Sequence, residues 1–365
     1  MFLNTKTFYP VGQGGFYSER IWNGEDFKTI VYDCGSDTRK KSNGISPLEK
    51  CIDESGIESV DCVVISHLDR DHINGIPYLK KYLKKICPES NPLLILPKPN
   101  PCDVLLFLED AAEEKDDEML NFFVDDIMDG ERVLYITPDD DDLDDALVPL
   151  ESPPQKPKSH SCNFIFGGVG NSCKNWLLKF YVDPSKYAQM NEDNVKKIEE
   201  IMSLDDFEKR KSELKRTYRD CILTRNRCGN ADASKSNLSS MSMISAPFDN
   251  SVLETSQGEK QQSFASWMNG DISLKSDKEL ESISNHYKDF LNLNFDFQIP
   301  HHGSERNLEK LPDIQGRIRP YIWAGLKNKH RHPSYSILQM LKQKGLVVNW
   351  ISENDNVIIH REKWL

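Results

Sequence analysis

The stretch Cys62 to Ile76, CVVISHLDRDHINGI, constrains this chain more than any other. It opens as a short apolar run, Cys62 to Ile65, rich in β-branched side chains, and so reads as a buried strand. It then breaks into Ser66-His67-Leu68-Asp69-Arg70-Asp71-His72, with ligand-type side chains at His67, Asp69, Asp71 and His72. Asn74 and Gly75 follow, and Ile76, Tyr78, Leu79 and Tyr82 then recur at helical spacing. Strand, ligand-bearing loop, helix is the arrangement in which α/β proteins hold chemistry at a strand's carboxyl end. Imidazole and carboxylate both bind hydrolytic divalent cations, and several must converge to hold one. An isolated Ser-His-x-Asp would be a capped helix start. Four ligand-type side chains in one loop after a β-run point instead to a metal.

Two later strand ends offer the same kind of group. Phe264 to Asn269 runs into Gly270-Asp271, and Phe295 to Ile299 into Pro300-His301-His302-Gly303-Ser304. With the first loop they supply enough nitrogen and oxygen ligands for two cations, Asp271 being free to bridge. Two cations about 3.5–4 Å apart activate a shared water and stabilise a phosphoryl or carbonyl oxygen, and no separate strong base is then required. Other signals are weaker. Val11-Gly12-Gln13-Gly14-Gly15 lacks the spacing of a dinucleotide loop and reads as a tight hairpin. Asp33, leaving a strand before Cys34-Gly35-Ser36, reads as an acceptor for loop backbone.

Between these landmarks the pattern predicts helices over Ser46 to Ser55, Lys278 to Leu291 and Ser334 to Lys344, and a helical pattern over Val104 to Asp129. Strands are expected over Thr29 to Tyr32, Asn91 to Pro97, Glu131 to Thr137, Trp176 to Val182, Asn237 to Ser245, Val347 to Trp350 and Asn356 to His360. Asp139 to Ser161, acidic and then proline-rich, reads as an exposed loop, and Arg225 to Ser236 as a polar one. Glu192 to Ile222 reads as a solvated amphipathic helical pair. Strands followed by strands alternating with helices, twice over, predict an α/β protein with helices outside two sheets.

At 365 residues the chain can form one domain over 1–365, carrying an acidic insertion near 104–161 and a charged helical one near 185–236. No apolar run approaches the ~20 residues of a membrane span, and the first residues, MFLNTKTFYPVGQGG, lack the pattern of a secretory signal. Nine scattered cysteines with no CxxC pair suggest reduced thiols and a cytoplasmic location. A net charge of −12 argues against coating nucleic acid with the whole surface but leaves room for a local basic patch at Lys327 to Arg331.

His67-Leu68-Asp69-Arg70-Asp71-His72 followed by Asn74-Gly75 resembles the HxHxDH signature of the metallo-β-lactamase fold, with Asp69 in place of the second histidine. The HxDxDH form, the strand-borne VGQGG and VYDCGS, Gly270-Asp271, PHHGS and the later His332-Pro333-Ser334 resemble one branch, the nuclease-type domain of the DNA-uptake protein ComEC and its soluble relatives. The resemblance runs from Phe8 to His360 and implies an αββα sandwich with two long insertions. It implies that His67 and Asp69 serve one metal, Asp71 and His72 the other, that Asp271 bridges, and that His301 or His302 completes a site. Ser304 and His332 would face the ligands or a phosphate, and Asn237 and Ser240 sit where the family has an N-x-x-S strand. Two departures stand out: Gly15 where relatives often carry an acid, and Asp183-Pro184 where the fold can carry a further histidine. Asp for His hardens the ligand set, so Mn²⁺ joins Zn²⁺ as a candidate for the two divalent ions.

The resulting expectation is a metal-dependent phosphodiesterase or nuclease with Asp71 in a catalytic role, nucleic acid as substrate, and a place in a larger system such as a bacterial defence module. Lys327, Lys329, Arg331 and His332 would neutralise neighbouring phosphates. The alternatives are a hydrolase of a small phosphodiester, lactone or thioester, and a non-catalytic interaction protein that meets a protein partner through its charged insertions.

Overall fold

The computed structural model describes residues 2–22, 27–38, 46–99, 117–128, 130–137, 147–149, 163–166, 175–184, 240–248 and 263–364, with isolated positions between these segments. Strands β1 (Phe2–Phe8), β2 (Gly14–Trp22) and β3 (Phe27–Ser36) lead to helix α1 (Pro47–Asp53), strand β4 (Cys62–Val64), helices α2 (Arg70–Ile73) and α3 (Ile76–Ile86), and strand β5 (Leu93–Pro97). Helix α4 (Asp117–Asn121) runs into a π turn, Phe122–Met128, before β6 (Val133–Ile136), β7 (Leu147–Pro149), β8 (Asn163–Phe166), β9 (Asn175–Val182), β10 (Met241–Phe248) and β11 (Phe264–Met268). Helix α5 (Asp277–His286), strands β12 (Asn294–Gln298) and β13 (Ile318–Trp323), helix α6 (Tyr335–Gln343) and strands β14 (Asn349–Ile351) and β15 (Ile358–Trp364) follow.

These strands make two sheets, ordered β15-β1-β2-β3-β4-β5-β6 and β14-β13-β12-β11-β10-β9-β8-β7. β4 lies parallel between β3 and β5 and all three of its side chains are buried, which is why Cys62-Val63-Val64 is continuously apolar rather than alternating. α3 lays Ile76, Leu79 and Leu83 against the first sheet. α5 buries Leu280 and Ile283, and α6 buries Ile337 and Leu341. α1 and α5 each open on a capping box, Ser46 with Glu49 and Ser276 with Glu279. The described residues share one hydrophobic core between the sheets, crossed by polar ties. Tyr32 donates to the Met241 carbonyl at 2.8 Å, and Trp323 Nε1 donates to the Tyr9 carbonyl at 2.9 Å. Helices outside two facing sheets make this the expected αββα sandwich. No helix among the described residues is long and apolar enough to cross a membrane.

Some elements differ from the sequence expectation. β13 was not anticipated, because Pro320 and the flanking arginines break its apolar run; Pro320 nevertheless pairs with Phe297 inside the second sheet. Strand β7 falls within the stretch read as an exposed loop, and pairs in parallel with β8. Of the helical pattern over Val104 to Asp129, α4 and the π turn are observed. Most of the helical pair over Glu192 to Ile222, the loop over Arg225 to Ser236, and most of the two insertions, 104–161 and 185–236, lie outside the described residues.

Candidate metal centre

The carboxyl ends of β3, β4, β11 and β12 meet at one edge of the sandwich, and each carries part of a cluster. β4 runs through Ile65 and Ser66 into His67, and α2 then starts at Asp69 and carries Asp71 and His72. Gly14, at φ +149, and Gly35 are where that helix rests. A Cβ on Gly35 would lie 2.5 Å from the Asp71 and His72 backbone, and one on Gly14 would lie 2.5 Å from the Asp71 carbonyl. The VGQGG stretch is thus more than a hairpin: its glycine gives the ligand loop room to sit against the sheet.

Each of three imidazoles has its Nδ1 proton fixed. His72 Nδ1 donates to Asp33 Oδ2 at 2.8 Å, and His302 Nδ1 to the Trp323 carbonyl at 2.9 Å, both groups that can only accept. Asp33 also accepts the Ser66 N–H at 2.7 Å and the Ser66 hydroxyl at 2.8 Å. With its proton committed to Asp33, Ser66 Oγ accepts from His67 Nδ1 at 2.9 Å. The Nε2 lone pairs of His67, His72 and His302 therefore face the centre. His72 Nε2 is 3.3 Å from Asp271 Oδ1, His67 Nε2 is 3.7 Å from Asp271 Oδ2, and His302 Nε2 is 3.0 Å from Asp71 Oδ2. Ligand atoms of His67, His72 and Asp271 lie within 4.8 Å of one another, as do those of Asp71, His72 and His302.

The remaining expected residues arrange themselves around these two triplets. Asp69, with a side chain 36% exposed, sits 3.6 Å from His67 Nε2, outside both. His301 points Nδ1 at Asp271 Oδ2 from 3.5 Å. The His332 ring stacks on His302 at 6.4 Å and meets His301 edge-on at 5.6 Å. Ser304 is buried and closes a turn, its N–H on the His301 carbonyl and its Oγ accepting from Arg306 N–H. Ser240 Oγ accepts the Asp271 N–H at 2.9 Å and so sets that loop, whereas Asn237 lies outside the described residues. Asp183 is buried and belongs to neither triplet.

The site fits divalent cations. His67 Nε2, His72 Nε2 and His301 Nδ1 are buried with no hydrogen-bond partner, a condition that costs about 1–3 kcal/mol per group unless something supplies the missing contact. The field points the same way. Burial alone would lower the pKa of His72, but Asp33, Asp71 and Asp271 raise it well above the ordinary value. His67 is likewise raised, against burial and His72, by Asp69 and Asp271. Burial would raise Asp271, yet His301, His72 and His67 hold it well below the usual carboxylate range. The cluster thus stabilises positive charge. Away from it the balance reverses: burial, with His302, His301 and His330 nearby, lowers His332 to about 4. Backbone strain gathers here too. Among the described residues, positive φ outside glycine occurs at Asp33, His301, His302 and Arg331, three within the centre and the fourth beside His332.

Sequence reasoning found the ligand-type residues but gave Asp33 only a backbone role and did not single out Ser66 or the Trp323 carbonyl. Their signals were faint: an acid leaving a strand before a glycine, a serine directly before His67, and a main-chain atom.

Residues 23–86 match the family model of the metallo-beta-lactamase superfamily. That span holds Asp33 and the whole His67–His72 loop, while Asp271, His301 and His302 lie beyond it. No curated protein matches the chain. Among solved structures, unliganded yeast PDE1 aligns over 97% of this chain and 99% of its own, at 8% identity and a TM-score of 0.43. A long form RNase Z from yeast aligns over 94% of this chain and 42% of its own, at 12% identity and a TM-score of 0.26. The sandwich with its matched N-terminal segment is a metallo-β-lactamase fold.

Proposed function

We propose that the chain is a divalent-metal-dependent hydrolase that cleaves phosphodiesters, with nucleic acid as its substrate. The observation that carries this reading is the convergence of three imidazoles, each fixed at Nδ1, on the buried Asp271 and the half-buried Asp71 through Nε2. Ligands for two cations would come from His67 with Asp271 and from Asp71 with His302, His72 Nε2 serving one of the two because its single free lone pair cannot hold both, with Asp69 and His301 at their rim. Bound divalent cations supply Lewis acidity, lowering the pKa of water towards neutrality and offsetting charge on a phosphoryl oxygen. Carboxylates mixed with imidazoles suit Mn²⁺ as well as Zn²⁺.

The chain's own groups do the rest. Asp33 and Ser66 keep His72 and His67 in the tautomer whose Nε2 lone pair faces the centre, and the Trp323 carbonyl does the same for His302. Asp71 stays ionised: His72 and His302 hold it below the usual carboxylate range despite burial. It therefore accepts a hydrogen bond from the attacking water rather than serving as a strong base. His332 packs edge-on against His301 and stacks on His302, beside the ligands, where the family pattern would turn it towards a phosphate. The HxDxDH and PHHGS pattern supports placement in the ComEC-like branch, and the charged insertions support a protein partner in a multicomponent system such as a bacterial defence module.

The test is cleavage of single- and double-stranded DNA and RNA by protein loaded with Mn²⁺ or Zn²⁺, with bound metal measured on the same preparation. Wild type is expected to carry metal and cut, and a double His67→Ala, Asp71→Ala variant to lose cutting by at least 10³-fold, in line with removal of metal-bound catalysis. Metal-loaded protein that leaves every nucleic acid intact while hydrolysing a small diester, lactone or thioester would replace the substrate assignment. Protein that binds no divalent cation would remove the hydrolase itself.

A further inference from the structure

Strands β11 and β12 run parallel, and their main-chain ladder starts at Phe264 with Asn294 and ends at Trp267 with Phe297. Beyond that rung the two chains part into separate loops, and Asp271 and His301 lie equally far along them. A main-chain N–H that leaves a ladder inside a protein needs another acceptor. Each chain carries one buried amide side chain just past or beside the last rung, Asn269 in the first and Gln298 in the second.

These two amides take over where the ladder stops. Gln298 Oε1 accepts the Asn269 N–H at 2.9 Å and the Gly270 N–H at 3.1 Å, and Asn269 Nδ2 donates to the Gln298 carbonyl at 2.7 Å. Their partners fix the orientation of both amides, since a main-chain N–H only donates and a carbonyl only accepts. Asn269 is fully buried and Gln298 is 5% exposed, so water does not compete for these bonds. A main-chain bond from the His301 N–H to the Gly270 carbonyl, at 3.0 Å, completes the joint. The turn so held is also wedged against the first ligand loop. Gly270 has φ +51, and a Cβ on it would lie 2.5 Å from Ser66 Cβ, beside the hydroxyl that orients His67. Ser240 and Asn307 then fix the Asp271 N–H and carbonyl, each at 2.9 Å.

We infer that Asn269 and Gln298 form a positioning clasp that locks Asp271 to His301 and His302, so that this half of the metal centre is set before a cation binds. The inference rests on the proposed metal-dependent hydrolase and deepens it by assigning the alignment of its ligands to two residues that act through the main chain. The Asp271 carboxylate lies 3.5 Å from His301 Nδ1 and 3.3 Å from His72 Nε2. Ligand constellations of this kind must be held to within about 0.5 Å. The clasp ties the two loops at their base, where a small rotation is magnified at the ligands.

Gln298→Met removes the acceptor at nearly constant volume, and Asn269→Leu breaks the clasp from the other strand. Leu134→Ala, in the core on the outermost strand of the first sheet, supplies a variant destabilised away from the centre. In the full chain, Zn²⁺ affinity is measured by competition with a chromogenic chelator, ligand geometry by visible absorption of the Co²⁺ form, and stability by urea midpoint. Both clasp variants are expected to bind Zn²⁺ about 10–100-fold more weakly than wild type, with an altered Co²⁺ band. With bis(p-nitrophenyl) phosphate their kcat should fall at little-changed KM. Leu134→Ala should lower the midpoint at least as much while keeping wild-type affinity and spectrum. Clasp variants that keep both, or a Leu134→Ala variant that loses them to the same degree, overturn the clasp and leave the proposed hydrolase standing. Clasp variants that lose the cation, in a protein whose wild type binds it but cleaves no diester, uphold the clasp and overturn the activity. A wild type that binds no divalent cation overturns both.

Discussion

Asp33 decides which nitrogen of His72 carries the proton, and no ligand in the centre can settle that for itself. Its reading from sequence was half complete: one oxygen does accept loop backbone, from the Ser66 N–H. The other reaches His72, 39 positions away in sequence, and that contact exists only because α2 folds back over the end of β3. Local pattern cannot carry such a pairing, whereas the Asp-x-Asp-His spacing is legible because it is local. Asp33→Asn keeps the shape but puts an amide donor within reach of Nδ1, which favours the other tautomer of His72. Metal affinity is expected to fall about 10–100-fold, the usual effect of losing a partner that orients a ligand, as read by competition with a chromogenic chelator. Unchanged affinity would show that the Asp33 contact does not orient His72.

At the scale of elements, the strands feeding the centre were readable and the one supporting it was not. β4, β11 and β12 are short buried runs ending in chemistry-bearing loops, so run and motif reinforce each other. β13 carries Pro320 and two arginine neighbours and has no motif at its end, yet its last residue, Trp323, supplies the carbonyl that fixes His302. The seat of α2 was equally obscure, since a glycine reports its own freedom and not what leans on it. Gly35→Ala places a Cβ 2.5 Å from the Asp71 backbone, where only movement of α2 can relieve the overlap. Overpacking of this kind costs about 1–3 kcal/mol. The expected result is a folded protein, with a modestly lower melting temperature, that has lost most of its bound metal. Full metal content in the variant would mean that the loop does not rely on Gly35.

Across the whole molecule, two facing sheets with outer helices were legible from the order of runs, but the charges that tie the sheets together were not. Lys6 on β1 and Asp296 on β12 are both fully buried and meet at 2.8 Å, with Lys6 also donating to the Phe264 carbonyl. Arg319 grips both oxygens of Asp296 at 2.6 and 2.9 Å and returns to the first sheet through Glu362 at 2.6 Å. A lysine in an edge-proximal strand reads as solvent-facing, and nothing in the sequence pairs it with an acid 290 positions on. Lys6→Ala leaves Asp296 to Arg319 alone, so the loss should stay below the about 3–5 kcal/mol of a buried charge left with no partner, yet still lower the denaturant midpoint. The pH dependence has a definite sign. Burial would raise the Asp296 pKa, but Lys6 and Arg319 hold it below its ordinary value. Such a carboxylate contributes stability that is fully present above its unfolded pKa of about 3.9 and is lost as the pH falls through the lower folded value. Urea midpoints measured down the acid limb should therefore show wild type holding this contribution until below about pH 3.9. In Lys6→Ala the loss should begin at higher pH, and acid limbs that coincide would mean that Lys6 does not keep Asp296 ionised between the sheets.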